Sequence, residues 1–360
     1  MKASSKMLCI ILAVIMVIGL IPLTAAAEKA EADELTVYCI LSTGLPAKNA
    51  EIVLTNRLAA NVTKTYTADD DGIITIPKSL RGTYYVSASC EDAVVGLKWQ
   101  GLDGLTWDMN RLSDVSCLRL FPALELEFEY DIHNAYIMGY GDGKFCPEQT
   151  VTRGEAANLL YRLLTDDARE EYRATENDYS DVKAGMAYNT AISTLASAGV
   201  LDDFSDSAFG YKKIITREQF AAMLGRVFDV SYDGKNLFVD ISESDYADYI
   251  NLLASLGIIA PDKDGKFNPK AELTRGDVCV ILNRLLGRMP SADSARSIYN
   301  TAQLRTFSDV TKDSELYADI LEATNSHSYT VSVKIVDGEP VIHEDWVSLR
   351  APVNWVELQK

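Results

Sequence analysis

The stretch Val151-Thr152-Arg153-Gly154-Glu155 opens a segment whose apolar residues fall at Ala156, Leu159, Leu160, Leu163 and Leu164. That is the spacing of a helix with one buried face. The pattern returns twice. Ile215-Thr216-Arg217 precedes Phe220, Met223, Leu224, Val227 and Phe228, and Leu273-Thr274-Arg275 precedes Val278, Ile281, Leu282, Leu285 and Leu286. The three arginines stand 64 and 58 residues apart, which makes this an internally repeated chain.

Other residue types keep the same register. Phe145, Phe209 and Phe267 lie eight residues before each arginine, and Asp142, Asp206 and Asp264 lie eleven before. Ala135, Gly199 and Gly257, eighteen before, are small residues on which a preceding helix should stop. The apolar pairs that follow, Tyr136-Ile137, Val200-Leu201 and Ile258-Ile259, are expected to be buried. Tyr179-Ser180-Asp181-Val182, Phe238-Val239-Asp240-Ile241 and Phe307-Ser308-Asp309-Val310 read as helix starts with Asp as N-cap. The first repeat has no such start, and a spare one follows the third. The segment after Arg305 is therefore expected to complete a ring-like set begun at Asp131.

Within the motif, Thr152 and Glu155, and Thr216 and Gln219, form capping boxes, while Thr274 with Asp277 is a shortened version. Arg is not explained by helix stability. In the first turn it meets the positive end of the helix dipole, a penalty of roughly 0.3–1 kcal/mol at exposed sites. A helix N-terminus with a planar two-pronged guanidinium is suited instead to a carboxylate.

Residues 34–129 differ in character. Leu35–Ile40, Ala50–Leu54, Gly72–Ile76 and Thr83–Ser87 are short, β-branched or aromatic, and separated by turn residues such as Asp69-Asp70-Asp71-Gly72. They predict an all-β sandwich. The Asp triplet reads as a solvated turn rather than a calcium loop. Trp99 and Trp107 are expected to be packed, with exposure on a loop as the alternative.

The first 27 residues read as a secretory signal peptide, with Lys2 and Lys6, the apolar run Met7–Leu23 and Ala25-Ala26-Ala27. Beyond it lie Cys39, Cys90, Cys117, Cys146 and Cys279, an odd count with no zinc spacing; Cys279 reads as a core filler. The net charge of −18 argues against nucleic acid or anionic membrane as partners, so an anionic ligand needs a local cationic grip. His133, His327 and His343 are scattered, and no catalytic residue, cofactor or metal site is expected.

Gly139-Tyr140-Gly141-Asp142-Gly143-Lys144-Phe145-Cys146-Pro147, followed by Val151-Thr152-Arg153-Gly154-Glu155, resembles the S-layer homology pattern of clostridial and other Gram-positive surface proteins. The resemblance implies an all-α pseudo-three-fold helical prism built of three repeats, 131–178, 179–237 and 238–290. A closing helix and C-terminal β hairpin around Asp337-Gly338 would lie within 291–360. The β region, 28–130, resembles prealbumin-like B-type modules. The implied function is non-catalytic anchoring to pyruvylated secondary cell-wall polysaccharide, or to a peptidoglycan-linked polymer, with the β module displayed outward. The implied grooves pair Arg153 with Asp181, Arg217 with Asp240 and Arg275 with Asp309, and one or two of the three are expected to be competent. The repeats have no Trp near the start of the first helix, where Met186 and the Asp245-Tyr246 region stand instead. The alternatives are a cell-wall carbohydrate-active enzyme, or an adhesin or S-layer subunit whose β module binds a protein partner.

Overall fold

The computed structural model describes residues 33–355 except 93–94, 103, 203, 205–206, 299–300 and 337–338, and leaves out the side chains of 296–297, 301, 335 and 339–340. The signal peptide, Asp206 and the Asp337-Gly338 turn lie outside the described residues. The chain divides into two compact units. One runs to Ala123 and includes Val331–Glu344; the other comprises Leu124–Thr330 and Asp345–Lys360.

The first unit is strand-rich. Its strands are β1 (Glu34–Leu41), β2 (Glu51–Asn56), β3 (Thr63–Thr67), β4 (Ile73–Pro77), β5 (Thr83–Glu91), β6 (Lys98–Gln100), β7 (Thr106–Asp108) and β8 (Val115–Pro122). They hydrogen-bond in the order β3-β2-β5-β6-β8-β1-β4, with β7 on β5. The period-two pattern sets the faces: Tyr84, Val86 and Ala88 of β5 and Ile74 and Ile76 of β4 point inward. Trp99 and Trp107 are buried with them, as packing predicts.

The Asp triplet is a turn held by its own side chain. Asp69 Oδ1 accepts from the N–H groups of Asp71 and Ile73 at 3.1 and 2.8 Å. Gly72, at φ 73°, brings its backbone so close to Cys39 that a Cβ there would lie 2.3 Å from the Cys39 carbonyl oxygen. Cys39, Cys90, Cys117, Cys146 and Cys279 are free thiols. Burial pushes the Cys90 thiol up to about 11 and the Cys117 thiol up to about 12, which keeps both protonated and poorly nucleophilic. Cys279 is fully buried, a core filler.

The second unit holds α1 (Arg153–Leu163), α2 (Asp166–Glu171), α3 (Asn189–Ser197), α4 (Arg217–Val227), α5 (Ala247–Ser255), α6 (Arg275–Leu285) and α7 (Tyr317–Thr324). The strand pair β9 (His327–Val336) and β10 (Glu339–Leu349) follows in the sequence, its stretch Val331–Glu344 counted with the first unit. The apolar stripes of α1, α4 and α6 are buried throughout. Each of these helices begins at the arginine with a complete capping box, and Thr274 with Asp277 makes both of its bonds as the other two pairs do.

The three helix starts meet in a closed cycle. Val151 donates its N–H to Leu273, Leu273 to Ile215 and Ile215 to Val151, at 2.9, 3.0 and 3.0 Å. Around it, α1 packs on α3, α4 on α5 and α6 on α7. The last of these accounts for the missing start of the first repeat. The Val200 N–H donates to Leu195 at the end of α3, and that of Ile258 to Leu253 at the end of α5. The corresponding Tyr136 N–H donates to Ala323, in α7, at 3.1 Å. No helix leads into Ala135, contrary to expectation, because α7 occupies that place from the far end of the sequence.

The three aspartates are not N-caps. Helices α3, α5 and α7 start eight, seven and eight residues beyond Asp181, Asp240 and Asp309, behind the N-caps Tyr188, Tyr246 and Leu316, which make no side-chain cap bond. The carboxylates serve other N–H groups.

Candidate ligand grooves

Each Asp carboxylate is bound by the backbone just before a Thr-Arg helix. Asp181 accepts from Phe209 and Gly210 at 2.8 Å each and from Tyr211 at 3.3 Å. Asp240 accepts from Phe267 and Asn268 at 2.9 and 2.8 Å. Asp309 accepts from Phe145 and Cys146 at 2.9 and 2.7 Å. In all three the residue after the phenylalanine is left-handed: Cys146 at φ 57°, Gly210 at 71° and Asn268 at 58°. Turning one residue into that region points successive N–H groups to one side, an anion nest that the Asp fills.

The arginine grips the same phenylalanine from its other end. Arg153 Nη1 donates to the Phe209 carbonyl at 3.0 Å and to that of Phe204 at 3.3 Å. Arg217 Nε donates to Phe267 at 2.9 Å, and Arg275 Nε to Phe145 at 3.0 Å, with Arg275 Nη2 on Met138 at 2.7 Å. The expected pairs are thus brought together, each across a single phenylalanine. Phe145, Phe209 and Phe267 are at most 1 % exposed. Each guanidinium also lies over an aromatic ring, 5.4 Å from Phe204, 4.9 Å from Phe267 and 4.5 Å from Phe145.

The grooves differ in charge. Arg217 Nη1 makes an ion pair with Asp277 at 3.0 Å, whereas the hydrogen bonds of Arg153 and Arg275 given above end on neutral carbonyl oxygens. Partial burial pulls the Arg153 guanidinium below its ordinary value, opposed by Tyr246 and Asp181. Burial would raise the Asp309 carboxyl, but the N–H groups of Phe145 and Cys146 hold it below its ordinary value. Its contribution is therefore full above the ordinary carboxylate value and is lost as the pH falls from there through the lowered folded value.

The helix N-termini are not open to an anion. The N–H groups of Arg153 and Gly154 donate to Lys213 and Tyr211, those of Arg217 and Glu218 to Ala271 and Pro269, and those of Arg275 and Gly276 to Gln149 and Pro147. This close approach explains Gly154, where a Cβ would lie 2.9 Å from the Tyr211 carbonyl oxygen. In the second copy Glu218 stands instead and accepts from Lys270 and Ser244 at 2.6 and 2.7 Å. The first two N–H groups of each Thr-Arg helix are thus taken by backbone carbonyl oxygens. A cavity of about 220 Å³ beside Asp181 is lined by Val182, Met186, Tyr188, Asn189, Ile192 and Tyr211 among others. Its two tyrosines offer aromatic surface where the sequence has no Trp.

Asp181→Ala is expected to destabilise the repeat unit by about 2–3 kcal/mol, because it strips a charged acceptor from three N–H groups. Asp181→Asn, keeping one acceptor oxygen, should lose roughly half as much. Denaturant unfolding of the full chain measures both.

Residues 133–157, 178–221 and 237–279 match the S-layer homology domain. They are S-layer homology repeats. Cell surface glycoprotein 1 of Acetivibrio thermocellus is 31% identical over 212 residues, 55% of this chain and 9% of that protein. The cellulosome-anchoring protein of the same organism is 30% identical over 206 residues, 55% of this chain and 44% of that protein. An amylopullulanase of Thermoanaerobacterium thermosulfurigenes is 31% identical over 158 residues, 42% of this chain and 8% of that protein. The matched stretch therefore spans less than half of each relative. Its S-layer homology repeats make this chain a secreted, cell-wall-anchored surface protein. The likeness to the amylopullulanase lies in the repeats.

Proposed function

We propose that the S-layer homology repeats, 131–178, 179–237 and 238–290, with the closing segment after them, bind an anionic wall polymer and so hold the strand-rich unit at the cell surface. Pyruvylated secondary cell-wall polysaccharide fits best, since a ketal-linked pyruvate offers the carboxylate that a guanidinium binds in two-pronged fashion. One observation carries the reading. Three arginines sit against their own helix dipoles, yet each is held at the same place by the carbonyl of one buried phenylalanine. The hydrogen-bond cycle of Val151, Leu273 and Ile215 supports a pseudo-three-fold prism with a groove at each repeat junction.

Arg153 and Arg275 carry the competent grooves, because Asp277 already neutralises Arg217. Co-sedimentation with purified walls is expected to disappear once the secondary polymer is stripped; undiminished binding to stripped walls would overturn the reading. Arg153→Lys and Arg275→Lys should each weaken binding about tenfold, the loss of one two-pronged contact. Arg217→Lys should change it least.

A further inference from the structure

Away from the grooves, three side chains that the sequence scatters converge inside the second unit. His133 Nδ1 lies 2.9 Å from Glu322 Oε1, His327 Nε2 lies 3.4 Å from the same oxygen, and the two ring nitrogens are 3.1 Å apart. None of the three residues is more than 1 % exposed. A tetrahedral ion with bonds of about 2.1 Å holds neighbouring ligand atoms roughly 3.4 Å apart, which is the size of this triangle.

The surroundings aim these atoms inward. His327 Nδ1 is 2.9 Å from the Asn325 carbonyl oxygen, so a proton there leaves the Nε2 lone pair facing the triangle. Trp346 Nε1 donates to the other carboxylate oxygen, Glu322 Oε2, at 3.1 Å. Stacking fixes both rings: His133 lies on Tyr329 with centroids 3.9 Å apart, and His327 on Trp346 at 3.7 Å. A carbonyl-oriented imidazole, as at His327, and a hydrogen-bonded carboxylate belong to the outer arrangement of protein metal centres. The Arg288 guanidinium opposes a cation, with its Nη1 3.6 Å from Glu322 Oε1. Its Nη2 is turned to the Asn134 carbonyl at 3.0 Å, which directs part of its charge away.

We infer that His133, Glu322 and His327 form a structural site for a divalent transition ion of the zinc class. Two imidazole nitrogens and one carboxylate oxygen are a donor set that zinc accepts and that magnesium and calcium do not favour. The ion would join the entry of the first repeat to the segment just after α7, 194 residues further on, and so fasten the ring where the sequence leaves it open. Arg288 lowers the affinity without changing the ligand set.

The test uses the full chain, freed of metal by dialysis against a chelator and titrated with Zn²⁺ against a chromophoric competitor. One Zn²⁺ per chain is expected, with a melting temperature that rises with Zn²⁺ concentration. His133→Gln with His327→Gln should lower the affinity at least about tenfold. Uptake no greater than that of the double variant overturns the site, leaving a hydrogen-bonded triad that holds only a proton. Should the double variant fail to fold, Co²⁺ bound to the unaltered chain decides. Visible bands without a thiolate charge-transfer band support the site; a thiolate band places the metal on the free cysteines and overturns it.

Discussion

Phe209→Ala is expected to destabilise the S-layer homology unit by about 3–5 kcal/mol, the usual loss for a fully buried phenylalanine. The ring has no exposed surface and packs against Tyr179 and Phe204 with centroids 5.3 and 5.6 Å away. Its backbone carries two further contacts, an N–H to Asp181 at 2.8 Å and a carbonyl that holds Arg153 at 3.0 Å. The cavity left by alanine lets that peptide shift, so wall binding through Arg153 should fall together with stability. Combining Phe209→Ala with Asp181→Ala should destabilise by less than the sum of the two, since the second change then acts on a peptide already displaced. Denaturant unfolding of the four chains measures the coupling. Additive losses, or a single loss under about 1 kcal/mol, would show that the phenylalanine is not the joint between the two motifs.

That joint explains which parts of the site were legible in sequence. The three Thr-Arg helices and their starts were, because Thr152, Thr216 and Thr274 cap locally and the apolar stripe has a period the eye can count. The pairing of Arg153, Arg217 and Arg275 with Asp181, Asp240 and Asp309 came through family resemblance, and the structure does bring each pair together. What failed was the local reading of aspartate. An Asp after an aromatic residue looks like an N-cap, but here its partners lie 27 to 30 residues further on in two copies and 163 to 164 residues back in the third. The left-handed turn after each phenylalanine left one faint sign, Gly210 and Asn268 at matching positions, which Cys146 obscured. The meeting of His133, Glu322 and His327 left none, since spacing carries no signal when the residues belong to opposite ends of a closed ring.

Ring closure also sets the second large effect. A chain ending at Arg288 keeps all three Thr-Arg motifs and is expected to lose cooperative folding of the repeats. It lacks Phe307, whose ring lies 5.3 Å from that of Phe145, and Asp309, which fills the nest formed by Phe145 and Cys146. It also lacks α7, whose Ala323 accepts from Tyr136 and whose Asp319 accepts from Asn283 through both its carbonyl and its carboxylate, at 3.0 Å each. Val310, Ile320 and Leu321, all buried, contribute about 1.5–3 kcal/mol apiece. Together they approach the whole net stability of a domain, about 5–15 kcal/mol. The truncated chain should therefore show a broad, low-temperature transition by calorimetry or near-ultraviolet dichroism, against one sharp transition for the repeats of the full chain. Asp309→Ala in the full chain is the gentler comparison: it empties one nest while leaving α7 in place, and should lower the midpoint without abolishing the transition. An unchanged midpoint after truncation would mean that the three motifs close on themselves without the C-terminal segment. The first repeat would then need its missing helix from somewhere other than α7.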